Sequence, residues 1–393
     1  MAESVCVVTV HGIGFQQPPR GGKPGYADAL HDLLRKALGD RLGDDPERPA
    51  TGGPVYVSSE SDGSPAKGLG RLDEGRPLVR EEGEIAHVAL VYSPSEPLEP
   101  RFGETAEALA RAAISHGHYA STVGVLRLLV SDAWAALHED SGGGSRSTLT
   151  PRSDLDVSVH HGVLGRVLHR GARAADKDPA EAASKSPGAV ETLQALQDDV
   201  ATYVTRNDLR ERVRDFVEDA VLLLADRNEI SAVVINAHSQ GTVLCWDVLC
   251  RLPFSSWARG GDRRARLFRH FVTAGSPIRK YVDMFAWGDQ VGELAAALEP
   301  IGSLTWHNFC DPHDPVADPL NPPAGWRPGD PWDQQPEPDE GLLVARDANG
   351  ALRHVQIDDR RVDNIKYSSG GGLQAHDYWN NEKQVVTHLS TLL

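Results

Sequence analysis

The stretch that decides the fold is Ala-Val-Val-Ile-Asn-Ala-His-Ser-Gln-Gly-Thr-Val at residues 232–243. Its three successive β-branched residues predict a buried strand, and helical apolar spacing resumes after Gly241. The pattern between strand and helix is small-x-Ser-x-Gly, with Ala237 as the first small residue. Such a turn is typical of a nucleophile elbow, which is so tight that it pushes the serine oxygen out at the carboxyl end of the sheet. Ser239 is therefore the candidate nucleophile, and the backbone N–H of Gln240 is a candidate oxyanion donor.

Apolar strand patterns alternate with helical patterns along much of the chain. Strands are predicted at residues 5–10, 55–58, 85–93, 230–236, 267–273 and 303–310, and helices at residues 26–38, 190–205, 208–226, 241–251, 290–298 and 381–392. Residues 342–346 and 352–358 flank Asp347-Ala348-Asn349-Gly350, which predicts a hairpin. The alternation indicates an α/β protein with a mostly parallel central sheet that helices cover on both faces.

The α/β pattern is interrupted once. Residues 1–95 and 190–393 are predicted to form the α/β core, and residues 96–189 a helical insertion or cap, with a charged, Ala/Pro-rich and flexible part at residues 172–188. Residues 119–137 are apolar and approach the length of a membrane span, but Arg127 and Asp132 argue against one. A packed helix or a lid over an acyl-binding cleft is expected instead, and peripheral membrane contact stays open.

Composition excludes several classes of function. The chain of 393 residues has a formal net charge of −16, which argues against a nucleic-acid partner and against attraction to an anionic membrane. The first residues lack the charged and apolar regions of a secretory signal. The four cysteines are few and have neither disulfide-framework nor zinc-ligand spacing. Reduced thiols in a cytoplasmic protein are the expectation.

An elbow serine needs a base and an acid that orients the base. Asp311, Asp314 and Asp318 all follow the strand predicted at residues 303–310, where the acid is expected. His376 lies in the loop before the terminal helix, where the base is expected. His354 and His388 are poorer candidates, because they fall inside a predicted strand and a predicted helix.

A second oxyanion donor is expected after the first strand. His11-Gly12-Ile13-Gly14 follows that strand, and its glycines would let a backbone N–H turn toward a substrate oxygen. Ile13 or Gly14 is the candidate donor. The alternative is an ordinary glycine-rich strand exit without a catalytic role.

These motifs together resemble the lipase/esterase-like branch of the α/β-hydrolase superfamily. They are His-Gly-Ile-Gly, the Ala-His-Ser-Gln-Gly elbow, a late Asp-Pro-Val and a final His before Tyr-Trp. The resemblance is loose over residues 5–92 and closer over residues 230–250, 271–277, 304–320 and 374–392. Residues 96–189 stay unexplained.

The resemblance implies hydrolysis of a small-molecule or lipid carboxylic ester through an acyl-serine intermediate. Ser239, His376 and Asp314 would form the triad, since Asp314 opens the Asp-Pro-Val motif, with Asp311 in reserve. No cofactor is expected.

Three alternatives stay open, and one of them is a membrane-associated lipase in which residues 119–137 dock on lipid. A binding or scaffold protein on the same fold would lack a working triad, and the same triad also serves thioester cleavage, acyl transfer and peptide cleavage. The pairs His116/His118 and His160/His161 lack a third metal ligand, so no metal site is expected. Substrate, acyl chain length and oligomeric state are not predicted.

Overall fold

The computed structural model describes the core of the chain. The described residues are 4–12, 18–19, 22–48, 50–59, 68–72, 77–79, 83–92, 203, 207–279, 281, 304–311, 314, 316–317, 319–320, 344–346, 352–354, 357–368 and 374–393. The helical insertion predicted at residues 96–189 lies outside them, as does the helix predicted at residues 290–298. The division into core and insertion therefore stays a prediction.

The strands are β1 (Val5–Val10), β2 (Val55–Ser58), β3 (Ile85–Val91), β4 (Ala232–His238), β5 (Phe268–Ala274), β6 (Thr305–Cys310), β7 (Val344–Arg346), β8 (Leu352–His354) and β9 (Ile357–Arg361). Seven of these described strands form one parallel sheet in the order β2-β3-β1-β4-β5-β6-β9. β7 and β8 form a separate antiparallel pair. The prediction of an α/β protein with a mostly parallel sheet is confirmed.

Helices cover both faces of this sheet. They are α1 (Asp28–Leu38), α2 (Asn207–Asp226), α3 (Gln240–Arg251), α4 (Phe254–Gly260), α5 (Asn364–Tyr367) and α6 (Thr387–Thr391), with 3₁₀ turns at Gly39–Arg41, Gly68–Leu72, Arg263–Arg266 and Gln374–His376 and a π-helical segment at Glu382–Val386. Alternate side chains of β1 enter opposite layers of the core: Val8 packs with α2 and α3, and Val7 packs with α1 and the C-terminal helix. Burial on both faces explains the unbroken apolar runs in the strand sequences.

The strand order reverses beside the elbow. After β1 the chain builds β2 and β3 on one side, and it then returns to place β4, β5, β6 and β9 on the other. β1 and β4 are therefore neighbours whose carboxyl ends open onto a topological switch point. Ligands of open α/β sheets bind in the crevice at such a point.

The second strand of the predicted hairpin differs from its prediction. Residues 352–358 were expected to form a single strand, but β8 ends at His354 and β9 begins at Ile357, where it joins β6 in parallel. The sequence Ile-Asp-Asp-Arg-Arg of β9 has no apolar run, because β9 is an edge strand and need not be buried on both faces. Within the described ranges, no helix has both the length and the apolar character needed to cross a membrane.

Candidate active site

Ser239 occupies a strained turn between β4 and α3. Its backbone has φ 53° and ψ −128°, and it is the one described non-glycine residue with a positive φ. Such a conformation costs on the order of 1–3 kcal/mol and persists only where the surroundings enforce it. Here the Ser239 N–H donates to Ala274 O at 2.9 Å, and the Thr242 hydroxyl donates to Ser239 O at 2.7 Å.

The hydroxyl of Ser239 takes no part in holding this turn. Ser239 is the N-cap residue of α3, a position at which serine often accepts a hydrogen bond from the helix, yet its side chain forms no capping bond. The Oγ atom is buried and has no hydrogen-bond partner among the described residues. The strained backbone and the burial of Ser239 therefore position a hydroxyl that forms no hydrogen bond with the described residues.

The turn is tight because the exits of β1 and β4 are pressed together. A Cβ atom added to Gly241 would lie 2.2 Å from His11 O, and one added to Gly12 would lie 2.4 Å from Ser239 Cβ. Ala237 is fully buried and is the register partner of Val10, the last residue of β1. The absence of a side chain at Gly12 and Gly241 is therefore a steric requirement, and the His-Gly motif after β1 lies directly against the candidate nucleophile.

Gln240 is the first residue of α3, so its backbone N–H belongs to the donors that a helix leaves without intrahelical partners. The positive end of the helix dipole adds to its attraction for an oxyanion. Its side chain is held in place, since Gln240 Oε1 accepts a hydrogen bond of 2.8 Å from the Tyr281 hydroxyl. The other predicted donors, Ile13 and Gly14, lie outside the described residues, although Gly12 beside them adjoins Ser239.

Asp314 and His376 form a hydrogen-bonded pair. His376 Nδ1 lies 2.8 Å from Asp314 Oδ2, and because an ionised carboxylate only accepts, the imidazole carries its proton on Nδ1. Asp314 Oδ1 accepts from the Val316 N–H at 2.8 Å. Burial raises the pKa of the Asp314 carboxyl, but the charge and hydrogen bond of His376, with the other donors, outweigh it and hold this pKa below its ordinary value.

Asp311, the alternative candidate for the acid, is hydrogen-bonded to a different element. Asp311 Oδ2 accepts a hydrogen bond of 2.6 Å from the Asn364 N–H at the start of α5. The structure thus brings Asp314, and not Asp311, against the candidate base. Asp318 lies outside the described residues.

The His376 ring lies over the exits of β4 and β5. His238, the last residue of β4 and the one before Ser239, donates from Nε2 to His376 O at 2.9 Å. The two imidazole centroids are 4.6 Å apart. A Cβ atom on Gly275, directly after β5, would lie 2.7 Å from His376 Cε1. The Nε2 atom of His376 is buried and without a hydrogen-bond partner in the described part of the chain, so it is available as a base.

Tyr378 is a site residue to which sequence reasoning gave no role. Its hydroxyl donates to Asp314 Oδ2 at 2.8 Å and accepts from the Asp311 N–H at 2.8 Å. It thereby fixes the Asp314 carboxylate against the end of β6. The sequence signal that was missed is a tyrosine two residues after the candidate base. Nothing in the sequence indicates that Gly275 leaves space for the His376 ring.

The other two histidines beside the elbow are neutral. Burial lowers the pKa of His11 to about 4, and burial together with the charge of His376 lowers the pKa of His238 to about 3. The His11 ring stacks on Tyr92 with centroids 4.1 Å apart and donates from Nδ1 to Gly12 O at 2.8 Å. Both histidines therefore lie uncharged beside the elbow, His238 against His376 and His11 against Tyr92.

The remaining histidines considered as site residues lie in predicted elements or outside the described residues. His354 lies in β8 and His388 in α6, as predicted. His116, His118, His160 and His161 lie outside the described residues. Comparison of the chain with models of protein families, with curated proteins and with solved structures gave no match.

Proposed function

We propose that this protein is a serine hydrolase that cleaves carboxylic esters through an acyl-serine intermediate. One observation carries the proposal: a buried, uncommitted serine hydroxyl sits on a strained elbow at the switch point of a parallel sheet, beside a His376–Asp314 pair. Backbone strain of this kind concentrates at functional sites, and Ser-His-Asp constellations are recognised by geometry and roles.

In the first half-reaction Ser239 Oγ attacks the acyl carbon of the ester. The bond from Oγ to carbon forms as His376 Nε2 takes the serine proton, and the proton then passes to the leaving alcohol as the ester C–O bond breaks. Water attacks the acyl-serine by the same route and releases the acid. Asp314, held by Tyr378 and Val316, keeps the imidazole in the tautomer that leaves Nε2 ready to accept.

Ser239 Oγ and His376 Nε2 are not hydrogen-bonded to each other in this structure. Catalytic hydrogen bonds are often long or poorly aligned without substrate and tighten only in the reacting complex. The two residues are anchored to the same end of β5, because the Ser239 N–H is hydrogen-bonded to Ala274 O and the His376 ring lies against the next residue, Gly275.

The oxyanion of the tetrahedral intermediate would be held by the Gln240 N–H and by a second N–H from Ile13 or Gly14. Removing one such donor typically costs about 2.7–4 kcal/mol of transition-state stabilisation. The ester as substrate, lipid esters included, rests on the resemblance of the four motifs to lipase-like hydrolases.

The test is hydrolysis of a series of p-nitrophenyl esters that differ in acyl length. Wild type should turn over at least one member, and both Ser239→Ala and His376→Ala should lose that activity. Ser256→Ala, on the short helix α4 away from the elbow, is the matched control and should keep it. Equal rates in wild type and Ser239→Ala would refute the proposal.

A further inference from the structure

A second cluster of polar side chains lies apart from the elbow. His307 on β6, Asp358 on β9 and His388 on α6 each offer one ligand atom, and the three atoms lie within 4.8 Å of one another. His307 Nδ1 is 3.3 Å from Asp358 Oδ2 and 3.4 Å from His388 Nε2. We propose that this cluster binds a divalent transition-metal ion, with Zn²⁺ the best fit.

Two of the three distances between ligand atoms match tetrahedral coordination. Zn²⁺ bonds to histidine nitrogen and carboxylate oxygen are about 2.0–2.2 Å, so neighbouring ligand atoms of a tetrahedral site are roughly 3.3–3.5 Å apart. Both distances from His307 Nδ1 have this length. Imidazole and carboxylate are also ligands that Zn²⁺ accepts, and three protein ligands leave a fourth position for water.

His270 on β5 stands behind this cluster. Its Nδ1 lies 3.2 Å from His307 Nε2, so His307 can donate its Nε2–H to His270 and turn the lone pair of Nδ1 toward the metal. Metal-bound histidines almost always donate their second ring N–H in this way, which fixes the tautomer. His270 is therefore a positioning residue, and not a ligand.

The positive charge of Arg360 lies beside the proposed metal site and disfavours a bound cation. Its Nε lies 2.7 Å from Asp358 Oδ2, the oxygen that also faces His307. A carboxylate oxygen has more than one lone pair, so Asp358 can serve both partners, but the positive charge of Arg360 must weaken the metal site. The structure therefore predicts that removing Arg360 tightens metal binding.

The position of the cluster indicates a structural role. His307 lies three residues before the carboxyl end of β6, roughly 10 Å along the strand from that end, so the metal would not reach Ser239. It would instead tie α6 to β6 and to the edge strand β9. The proposal is thus independent of the esterase activity.

The test uses the full chain, stripped with EDTA and dialysed, then titrated with ZnCl₂ by calorimetry and with CoCl₂ by visible absorption. Wild type should bind one ion per chain, and its Co²⁺ form should show the d–d bands of four-coordinate Co²⁺. Metal binding should also raise its melting temperature. His388→Gln and Asp358→Asn should abolish all three effects. His270→Ala should weaken binding by about 10–100-fold, and Arg360→Gln should tighten it.

Glu382→Gln is the matched control. It removes a carboxylate from the same C-terminal segment, where Glu382 forms a surface ion pair with Lys36, and should leave Zn²⁺ affinity unchanged. Circular dichroism verifies the fold of each variant. Failure of wild type to bind a stoichiometric ion would overturn the proposal, as would binding that persists in both His388→Gln and Asp358→Asn.

Discussion

At the scale of the residue, Ser239 combines two costs that a structural serine would avoid. It holds a backbone conformation that favours glycine, and its buried hydroxyl has no hydrogen-bond partner among the described residues. Neither feature contributes to folding, so both are expected where the serine has a chemical task.

The strain at Ser239 gives a first prediction. Glycine adopts positive φ without steric penalty, whereas alanine does not. Ser239→Gly should therefore be more stable than Ser239→Ala by about 1 kcal/mol, because the relief of strain exceeds the entropy cost of glycine. Urea unfolding of the two inactive variants measures the difference, and a less stable glycine variant would show that the elbow is not strained.

The pairing of Asp314 with His376 gives a second prediction. Asp314→Asn keeps the size of the side chain, but its amide favours the wrong tautomer of the imidazole, and comparable changes in known triads lower kcat about 10⁴-fold. Asp311→Asn is the matched control; it should reduce stability through α5 and leave kcat within about tenfold of wild type. Similar kcat losses in the two variants would contradict the assignment of the acid.

Sequence reasoning identified the candidate nucleophile more easily than its candidate partners. Ser239 is marked by a local pattern of five residues, because an elbow constrains its immediate neighbours. Asp311 and Asp314 looked equivalent by position, and only the fold shows that one meets α5 and the other His376. The His307 cluster carried no signal, because its members come from β6, β9 and α6 and meet only in the folded sheet.

At the scale of the element, the contact between the exits of β1 and β4 gives a third prediction. Gly241→Ala would drive a Cβ into backbone oxygens and should destabilise the fold by at least about 1–3 kcal/mol. Gly12→Ala would press on Ser239 itself. It should therefore lower the rate of ester hydrolysis by more than the drop in its folded fraction explains. Both are measured by urea unfolding together with ester hydrolysis.

Gly260→Ala is the control for these two variants. Gly260 ends α4, and a Cβ there would meet nothing within 4 Å. Its stability should be unchanged or higher by about 0.4–1 kcal/mol. If Gly241→Ala proved as stable as Gly260→Ala, the close approach of the two strand exits would be refuted.

The central elements and the edge strand β2 could be predicted closely, whereas the other edge strand, β9, could not. The expected strand at residues 5–10 coincides with β1, and the expected helix at residues 241–251 differs from α3 by one residue. These elements are buried, so their apolar pattern is complete. β9 carries charges and is only partly buried, so no apolar run marked it off from the longer strand predicted at residues 352–358.

At the scale of the whole molecule, the buried neutral histidines predict acid sensitivity. Burial lowers the pKa of His11 to about 4 and that of His238 to about 3, whereas histidine in an unfolded chain has a pKa of about 6.5. The unfolded state then binds more protons below about pH 6.5, so the free energy of unfolding falls as the pH drops toward 4. For His11 alone the full effect is on the order of 3 kcal/mol.

Urea midpoints at about pH 7 and about pH 5 measure this effect. His11→Asn keeps a donor for Gly12 O and removes the titrating group, so its midpoint should fall less than that of wild type. A wild-type midpoint that does not change over this range would show that these histidines are not held neutral.

The sheet order places the elbow, the exit of β1 and the Asp314–His376 pair at one switch point, and the central claim is that this arrangement activates Ser239. Labelling by a fluorophosphonate probe, with the modified peptide mapped by mass spectrometry, tests that claim most directly. We predict stoichiometric labelling of Ser239 in wild type, none in Ser239→Ala and strongly slowed labelling in His376→Ala. A folded wild type that is not labelled, or that is labelled equally fast without His376, would contradict the account.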